Sequence, residues 1–249
     1  MKNTVLISIL FSLYAIILSG CTIWDVDELR ERSRPINPIP DNPTPVNPEQ
    51  STLGLRYTLI NNGTAYSVSK GTAADTIVYI PAVYNGLPVT VIEDYGFQSY
   101  TNMTSITIPD SVTSIGHYAF SSCSGLTSIT IGNGVTSIGD HAFFDCSGLT
   151  SITIGNGVTS IGVHAFSSCS GLTSITIGNG VTSIGTGAFG NTGIWNNTPD
   201  GSVVYADKWV VGYKGTIIGE VNINQGTVGI SNYAFYNCTD LTSITIPDV

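Results

Sequence analysis

Charged residues are scarce in this sequence of 249 residues, which has 8 Lys and Arg and 17 Asp and Glu, or 10% in all. A typical soluble domain has about 25%. No Lys or Arg lies between Lys70 and Lys208, so the middle of the chain has no basic patch. The formal net charge is -9. Because neutralising phosphates requires Lys and Arg, we expect no nucleic-acid partner.

The first twenty residues have the pattern of a secretory signal peptide. One positive charge, on Lys2, precedes an apolar run from Thr4 to Leu18 that is too short for a transmembrane helix. The run ends in Leu18-Ser19-Gly20-Cys21, which resembles the bacterial lipobox. That resemblance implies cleavage before Cys21, acylation of this cysteine and stable membrane anchoring through the lipid alone. The alternative is an ordinary signal peptide with an incidental cysteine.

A charged and proline-rich segment follows, which we interpret as a tether. Asp25 to Arg34 holds 7 of the 25 charged residues, and Pro35 to Pro48 holds 6 of the 11 prolines. Proline blocks helix and sheet pairing, so this stretch predicts an extended polyproline-II spacer of about 40 Å. Thr22 stands where bacterial lipoproteins with an Asp-dependent retention signal carry Asp, which favours an outer-membrane or cell-surface destination.

A 23-residue repeat organises the rest of the chain. The string SGLTSITIGNGVTSIG occurs three times unchanged, at residues 124–139, 147–162 and 170–185. Diverged copies surround Met103 to Gly116 and end the chain at Leu241 to Ile246. Four cysteines keep the same spacing or a multiple of it: Cys123, Cys146, Cys169 and Cys238. A period of 23 lies in the range of leucine-rich repeats.

Each copy predicts one coil of a solenoid. Leu126, Ile129 and Ile131 have the L-x-x-L-x-L spacing of a strand, and Val135 to Ile138 forms a second extended piece after a Gly-Asn-Gly turn. The Ala142-Phe143 segment should close the coil as a helical or 3-10 turn. A single coil has too few inward side chains for a core, so the coils must stack on one another.

The repeat resembles L-x-x-L-x-L-P-x-x-L-x-x-I-G-x-x-A-F-x-x-C, the pattern of BspA-like (Treponema pallidum-type) leucine-rich-repeat proteins. Pro109 and Pro247 match the proline after the strand, whereas the middle copies have glycine. Ser111 or Gly134 holds the ninth position, so we expect no asparagine ladder of the common type. The resemblance covers about Leu53 to Val249 and implies an adhesin-type surface protein that binds extracellular-matrix proteins or other cells.

The predicted fold is a leucine-rich-repeat solenoid of mainly parallel β-strands with short helical or 3-10 turns, an N-terminal β cap and one β-hairpin insertion. The insertion follows from the segment Trp195 to Ile217, which departs from the repeat and alternates like a hairpin. The predicted divisions are signal peptide 1–20, tether 21–50, cap with a first degenerate repeat 51–100, regular repeats 101–194, hairpin island 195–217 and final repeats 218–249.

Two groups of residues are candidate ligand contacts. Outward strand positions should form two hydroxyl rows on the concave sheet, namely Ser105, Thr107, Ser128, Thr130, Ser151, Thr153, Ser174, Thr176, Ser243 and Thr245. They suit docking of an extracellular protein or glycan, although good strand formers on a wet face, or an ice-binding array, are alternatives. The island adds four aromatic residues suited to anchoring a partner or to packing: Trp195, Tyr205, Trp209 and Tyr213.

The remaining chemically active residues predict no enzyme, cofactor or metal site. Stacked identical coils present ladders of one group, whereas catalysis needs unlike groups that converge. His141 and His164 occupy the same repeat position and should stack about 5 Å apart. The repeat cysteines should be small buried hydrophobes, with disulfides between neighbouring coils left open.

A structural role is the second functional hypothesis. The sequence ends at Ile246-Pro247-Asp248-Val249, midway through a coil. An apolar terminal coil without a cap invites pairing with another chain. Self-association through the C-terminal coil is therefore the alternative to adhesion.

Overall fold

A computed structural model describes residues 51–247. The predicted signal peptide, Cys21 and the tether lie outside the described residues, as do the last two residues. The described chain opens with an antiparallel hairpin whose two strands are connected by a 3-10 helix, Asn61–Gly63. A second, shorter antiparallel hairpin follows. The strands of this part are β1 Arg56–Ile60, β2 Ala65–Ser69, β3 Ile77–Tyr79, β4 Val83–Tyr84 and β5 Leu87–Ile92.

Four regular coils follow, and each contributes two strands to two parallel stacks. The first strands of the coils are β6 Ser105–Thr107, β8 Ser128–Thr130, β10 Ser151–Ile154 and β12 Ser174–Ile177. The second strands are β7 Ser114–Ile115, β9 Ser137–Ile138, β11 Ser160–Ile161 and β13 Ser183–Ile184. Every paired residue faces its copy 23 positions away, as Ser128 faces Ser105. The cap joins the second stack through β5, which pairs with β7.

The third side of each coil, where a helical or 3-10 turn was expected, is a chain of turns with hydrogen bonds between residues three apart, as from Cys123 N–H to Phe120 O at 3.1 Å. In the first three regular coils two residues adopt left-handed φ without being glycine, for example Tyr118 (φ 54) and Ser122 (φ 58). The fourth coil has Gly187 (φ 62) and Asn191 (φ 57) at these places. Such residues interrupt any helix. Backbone hydrogen bonds also run between coils, as from Phe120 N–H to Ala142 O at 2.7 Å. The turn side is therefore a third stacked, hydrogen-bonded surface.

A column of phenylalanines forms the centre of the core. One fully buried ring from each coil stacks on the next, with centroids 5.1 to 5.4 Å apart: Phe97, Phe120, Phe143, Phe166 and Phe189. Rows of buried Ile, Leu, Val and Ala surround the column. The solenoid is thus stabilised by contacts between equivalent residues of neighbouring coils.

Glycines in the repeat are required by close backbone approach. Gly139 has no left-handed φ, yet a Cβ there would lie 2.7 Å from the backbone carbonyl carbon of Gly116 in the preceding coil. Gly162 meets Gly139 in the same way at 2.5 Å. Glycine is therefore needed at this position for a packing reason: only glycine lets the coils come this close.

The helix α1, Gly193–Asn197, leads into the island and was not predicted from the repeat pattern. Thr192 caps it by accepting a hydrogen bond from Trp195 N–H at 3.1 Å. The antiparallel hairpin β14 Ser202–Ala206 and β15 Trp209–Lys214 follows. The start of β15 takes the place of a second strand, since Trp209 and Val210 pair in parallel with β17, Gly229–Ile230.

The last coils have a separate, smaller core. Their first strands, β16 Gly219–Asn222 and β18 Leu241–Thr245, pair in parallel. The buried residues of this part form their own cluster: Val210, Ile217, Val221, Ile223 and Ala234. β15 contributes to both cores, because Val211 belongs to the large cluster and Val210 to the small one. The hydrophobic core therefore divides along the hairpin.

Candidate functional site

The predicted hydroxyl rows lie on the outer face of the first strands. In β10 and β12 the isoleucines are buried while Ser151, Thr153, Ser174 and Thr176 are exposed. Neither these four side chains nor Ser128 and Thr130 on β8 have a hydrogen-bond partner among the described residues. Ser105 and Thr107, beside the cap, are half-buried. The regular coils thus present a neutral surface of free hydroxyl groups.

Other threonines of the same coils have a structural role. Thr136 donates its hydroxyl hydrogen to Thr113 O at 3.0 Å, and Thr159 donates to Thr136 O at the same distance. Thr127 does the same to Thr104 O at 3.1 Å. Because each of these bonds joins two coils, these hydroxyl groups are engaged in stacking. The free hydroxyl groups of the rows are distinct from them.

The rows end at the island. β14 lies beside β12, and the Asp207 carboxylate at the hairpin turn accepts a hydrogen bond from Ile177 N–H at 2.9 Å. Ser243 and Thr245 belong to a different sheet, where they face Glu220 and Asn222. The structure brings together the first eight candidate hydroxyl residues and places this last pair apart from them.

The four aromatic candidates of the island have different environments. Trp209 is buried, and its ring lies over Gly229, where a regular coil has serine. The Tyr205 hydroxyl accepts a hydrogen bond from Asn224 N–H at 2.9 Å. Trp195 and Tyr213 are half-buried and line one cavity of about 650 Å³. Of the four, Trp195 and Tyr213 are the pair that lines this cavity.

Two further aromatic residues border the same cavity and were not predicted as contacts. Tyr233 and Tyr236 are 69% and 64% exposed, with their rings 5.6 Å apart. The signal for Tyr233 was its repeat position, which is also that of Tyr118 and His141. The Tyr213 hydroxyl donates to Tyr236 O at 3.3 Å, which joins the island to the final coil.

His117 and Asp140 each cap a backbone N–H group of the following coil. Asp140 Oδ1 accepts from Val163 N–H at 2.7 Å, and His117 Nδ1 accepts from Asp140 N–H at 3.0 Å. His141 and His164 lie with ring centroids 5.1 Å apart. Over residues 51–247, no three His, Cys, Asp or Glu side chains are grouped to hold a metal ion.

The four described repeat cysteines are free thiols. Cys123 Sγ donates to Phe97 O, and Cys146 Sγ to Phe120 O, both at 3.1 Å. Burial raises the pKa of the Cys123 thiol to about 11. Cys123, Cys146 and Cys169 are buried and are packing groups of the coil interior, whereas Cys238 is half-buried.

Stacked coils with an L-x-x-L-x-L strand and a period of 23 residues define a leucine-rich-repeat solenoid. A sequence profile of the BspA type leucine rich repeat region matches six copies, over residues 90–208 and 212–249. The chain therefore belongs to the BspA-type leucine-rich-repeat family. Among functionally curated proteins, no significantly similar sequence is found.

Solved structures of similar fold come from several bacteria. The T. pallidum leucine-rich-repeat protein TpLRR is 22% identical, with a TM-score of 0.56 over 78% of this chain and 81% of that one. A leucine-rich cell surface protein of Faecalibacterium prausnitzii is 28% identical, with a TM-score of 0.47 over 79% of this chain and 54% of its own. The pneumococcal vaccine antigen PcpA is 20% identical, with a TM-score of 0.44 over 80% and 70%.

Proposed function

We propose that this protein is a lipid-anchored binding protein of the bacterial surface, of adhesin type and without catalytic activity. Its regular coils would recognise an extracellular protein or glycan, possible ligands being matrix proteins such as fibronectin and fibrinogen. The observation that carries the proposal is the pair of hydroxyl rows whose exposed members have no partner within residues 51–247. A surface without charge selects its ligand by shape and hydrogen bonding.

The test of this face is a binding assay with the full chain on immobilised fibronectin and fibrinogen. The triple variant Thr130→Val, Thr153→Val and Thr176→Val keeps branched side chains but removes one row of hydroxyl groups. We expect about a tenfold weaker interaction, equal to roughly 1.4 kcal/mol. The matched control is Thr136→Val with Thr159→Val, which removes engaged hydroxyl groups and should lower stability while leaving binding unchanged. Equal binding by the triple variant contradicts the proposal.

The membrane anchor is supported by the lipobox-like Leu18-Ser19-Gly20-Cys21 after an apolar run. In the described part of the chain, no helix has the length and hydrophobicity needed to span a bilayer. Cys21→Ser should move the protein from the detergent phase to the aqueous phase in phase partitioning. Protease treatment of intact cells should remove the wild-type repeats from the surface. Unchanged partitioning of Cys21→Ser contradicts lipid anchoring.

A further inference from the structure

A row of neighbouring rings runs along the turn side of the regular coils, in which the first three rings are stacked and the fourth is tilted by 41°. Each ring stands two residues before the buried Phe of its coil, and the four are Tyr95, Tyr118, His141 and His164. Successive centroids lie 5.0, 4.5 and 5.1 Å apart. All four residues have φ between 53° and 57°. The turn geometry therefore holds one ring per coil in a fixed place.

The row is interrupted in the next coil. Its equivalent residue is Gly187, which has the same left-handed φ, 62°, but no side chain. The next ring of the row is Tyr233, beyond the island. The cavity of about 650 Å³ lies at this gap, with Gly187 on one side and Tyr233 on the other. The cavity therefore lies where the row has no ring, because Gly187 has no side chain.

The walls of the gap are aromatic and uncharged. Trp195, Tyr213, Tyr233 and Tyr236 line it together with several glycines, and Thr186 and Asn232 supply polar side chains. The Trp195 ring is fixed against Gly212, where a Cβ would lie 2.7 Å from Cζ3. Ligand sites in this size range are mostly apolar with a few polar groups that set orientation.

We propose that this groove binds a neutral saccharide ring. The C–H face of a pyranose packs on the faces of Trp and Tyr, while its hydroxyl groups reach the Asn232 amide and the Thr186 hydroxyl. No charged side chain lines the groove. The carboxylate of an acidic sugar would therefore lose its hydration without meeting a positively charged side chain, which favours a neutral sugar. The proposal rests on the proposed binding function and gives it a ligand class, at a site separate from the hydroxyl rows.

The test is titration of the full chain with four neutral sugars, cellotetraose, maltotetraose, N,N′-diacetylchitobiose and lactose, with sialyllactose and an uncharged peptide as comparison ligands. Binding is measured by tryptophan fluorescence and ligand-observed NMR. We expect saturable binding to at least one probe. Tyr233→Ala and Tyr236→Ala should each weaken it about tenfold, because each removes one stacking face. The matched control is Tyr95→Ala, an exposed residue (56%) at the repeat position of Tyr233 but outside the groove. This control should bind like the wild type.

A steric test fills the gap itself. Gly187→Tyr restores the ring that the row lacks, at a φ close to that of Tyr118, and the three atoms nearest to its Cβ would belong to the His164 ring, a side chain that can turn aside. Binding should fall at least about tenfold, while circular dichroism stays unchanged. Should this variant misfold, Tyr236→Ala decides alone. No saturable binding to any probe, unchanged binding of Tyr236→Ala, or preference for sialyllactose or an uncharged peptide over the neutral sugars overturns the proposal.

Failure of this proposal can be told apart from failure of the proposed function. The valine variant of the hydroxyl row tests matrix binding and leaves the groove intact. Saccharide binding that survives in that variant supports the groove whatever happens to matrix binding. Matrix binding that depends on the row, together with no saccharide binding, overturns the groove alone.

Discussion

The regular coils and the island differ in what each side chain contacts. In the coils an inward or stacked side chain meets the same or a similar residue 23 positions away, as Phe143 meets Phe120 and Phe166. In the island each main contact joins unlike residues, as Trp209 covers Gly229 and Trp195 covers Gly212. Equal contacts build a uniform column. Unlike contacts leave a groove, and the groove with four aromatic walls lies there.

The largest expected effect separates the two cores. Phe143→Ala removes a fully buried ring with neighbours on both sides and should cost about 3–5 kcal/mol of unfolding free energy. Phe235→Ala removes a half-buried ring of the smaller cluster, and its loss of unfolding free energy should be less than about half of that for Phe143→Ala. Urea unfolding followed by circular dichroism measures both. Equal losses would mean that the smaller cluster holds its ring as tightly as the large core does.

The second test turns an island contact into a repeat contact. Gly229→Ser introduces the residue of the regular coils, but its Cβ would lie 2.5 Å from Cη2 of Trp209. We expect a loss of about 1–3 kcal/mol from overpacking. In a Trp209→Ser background the same change should cost less than about 0.5 kcal/mol, because the obstacle is gone.

The control for this cycle lies in a regular coil. Ser160→Gly removes the side chain at the repeat position of Gly229 and should cost only about 0.5–1 kcal/mol in backbone entropy. A Gly229→Ser cost that persists without the Trp209 ring would show that something other than this ring demands the glycine.

The third test loosens the junction between the two regions. Asp207→Ala removes the acceptor of Ile177 N–H and should destabilise the hairpin by about 1–2 kcal/mol. Asp207→Asn is the matched control, since it keeps an acceptor oxygen and tolerates the φ of 53° at this turn. Hydrogen exchange should accelerate at Ile177 and through β15 in the alanine variant only. Unchanged exchange there would show that the hairpin is held by packing alone.

The repeat was enough to predict the fold, whereas the cavity depends on contacts between residues far apart in the sequence. A period of 23 with apolar positions at fixed offsets was enough for the stacked strands, and the alternation in the segment that departs from the repeat was enough for the hairpin. The left-handed turn residues were missed because Tyr118 and Ser122 are not the residue types that announce positive φ. Tyr236 was missed because its place beside Tyr213 depends on how the hairpin folds back on the final coil.

Thiol reactivity should also differ between the regions. In the coils burial raises the pKa of Cys123 to about 11, and the pKa of Cys146 is raised by its hydrogen bond with Cys169 and by burial. Cys238 in the final coil is only half-buried. Brief treatment with iodoacetamide at pH 8 should modify Cys238 about tenfold faster than Cys123 or Cys146, as measured by peptide mapping. Equal labelling would show that the regular coils open as readily as the final ones.

The smallest effect concerns His141 in the ring row. Burial and the neighbouring His164 lower the pKa of His141 in the folded chain, and its Nδ1 has no hydrogen-bond partner among residues 51–247. The unfolded chain then binds this proton more readily, near the ordinary pKa of about 6.5. Stability is therefore complete above that value and decreases as the pH falls through it.

His141→Tyr tests this pH effect, because it copies the ring of Tyr118 from the preceding coil without a titrating group. The drop in Tm between pH 7.5 and pH 5.5 should be smaller in the variant than in the wild type. Tyr95→Ala, which changes the same row without removing an imidazole, should keep the full drop. An identical drop in Tm for His141→Tyr would mean that protonation of the His141 ring does not destabilise the folded coils.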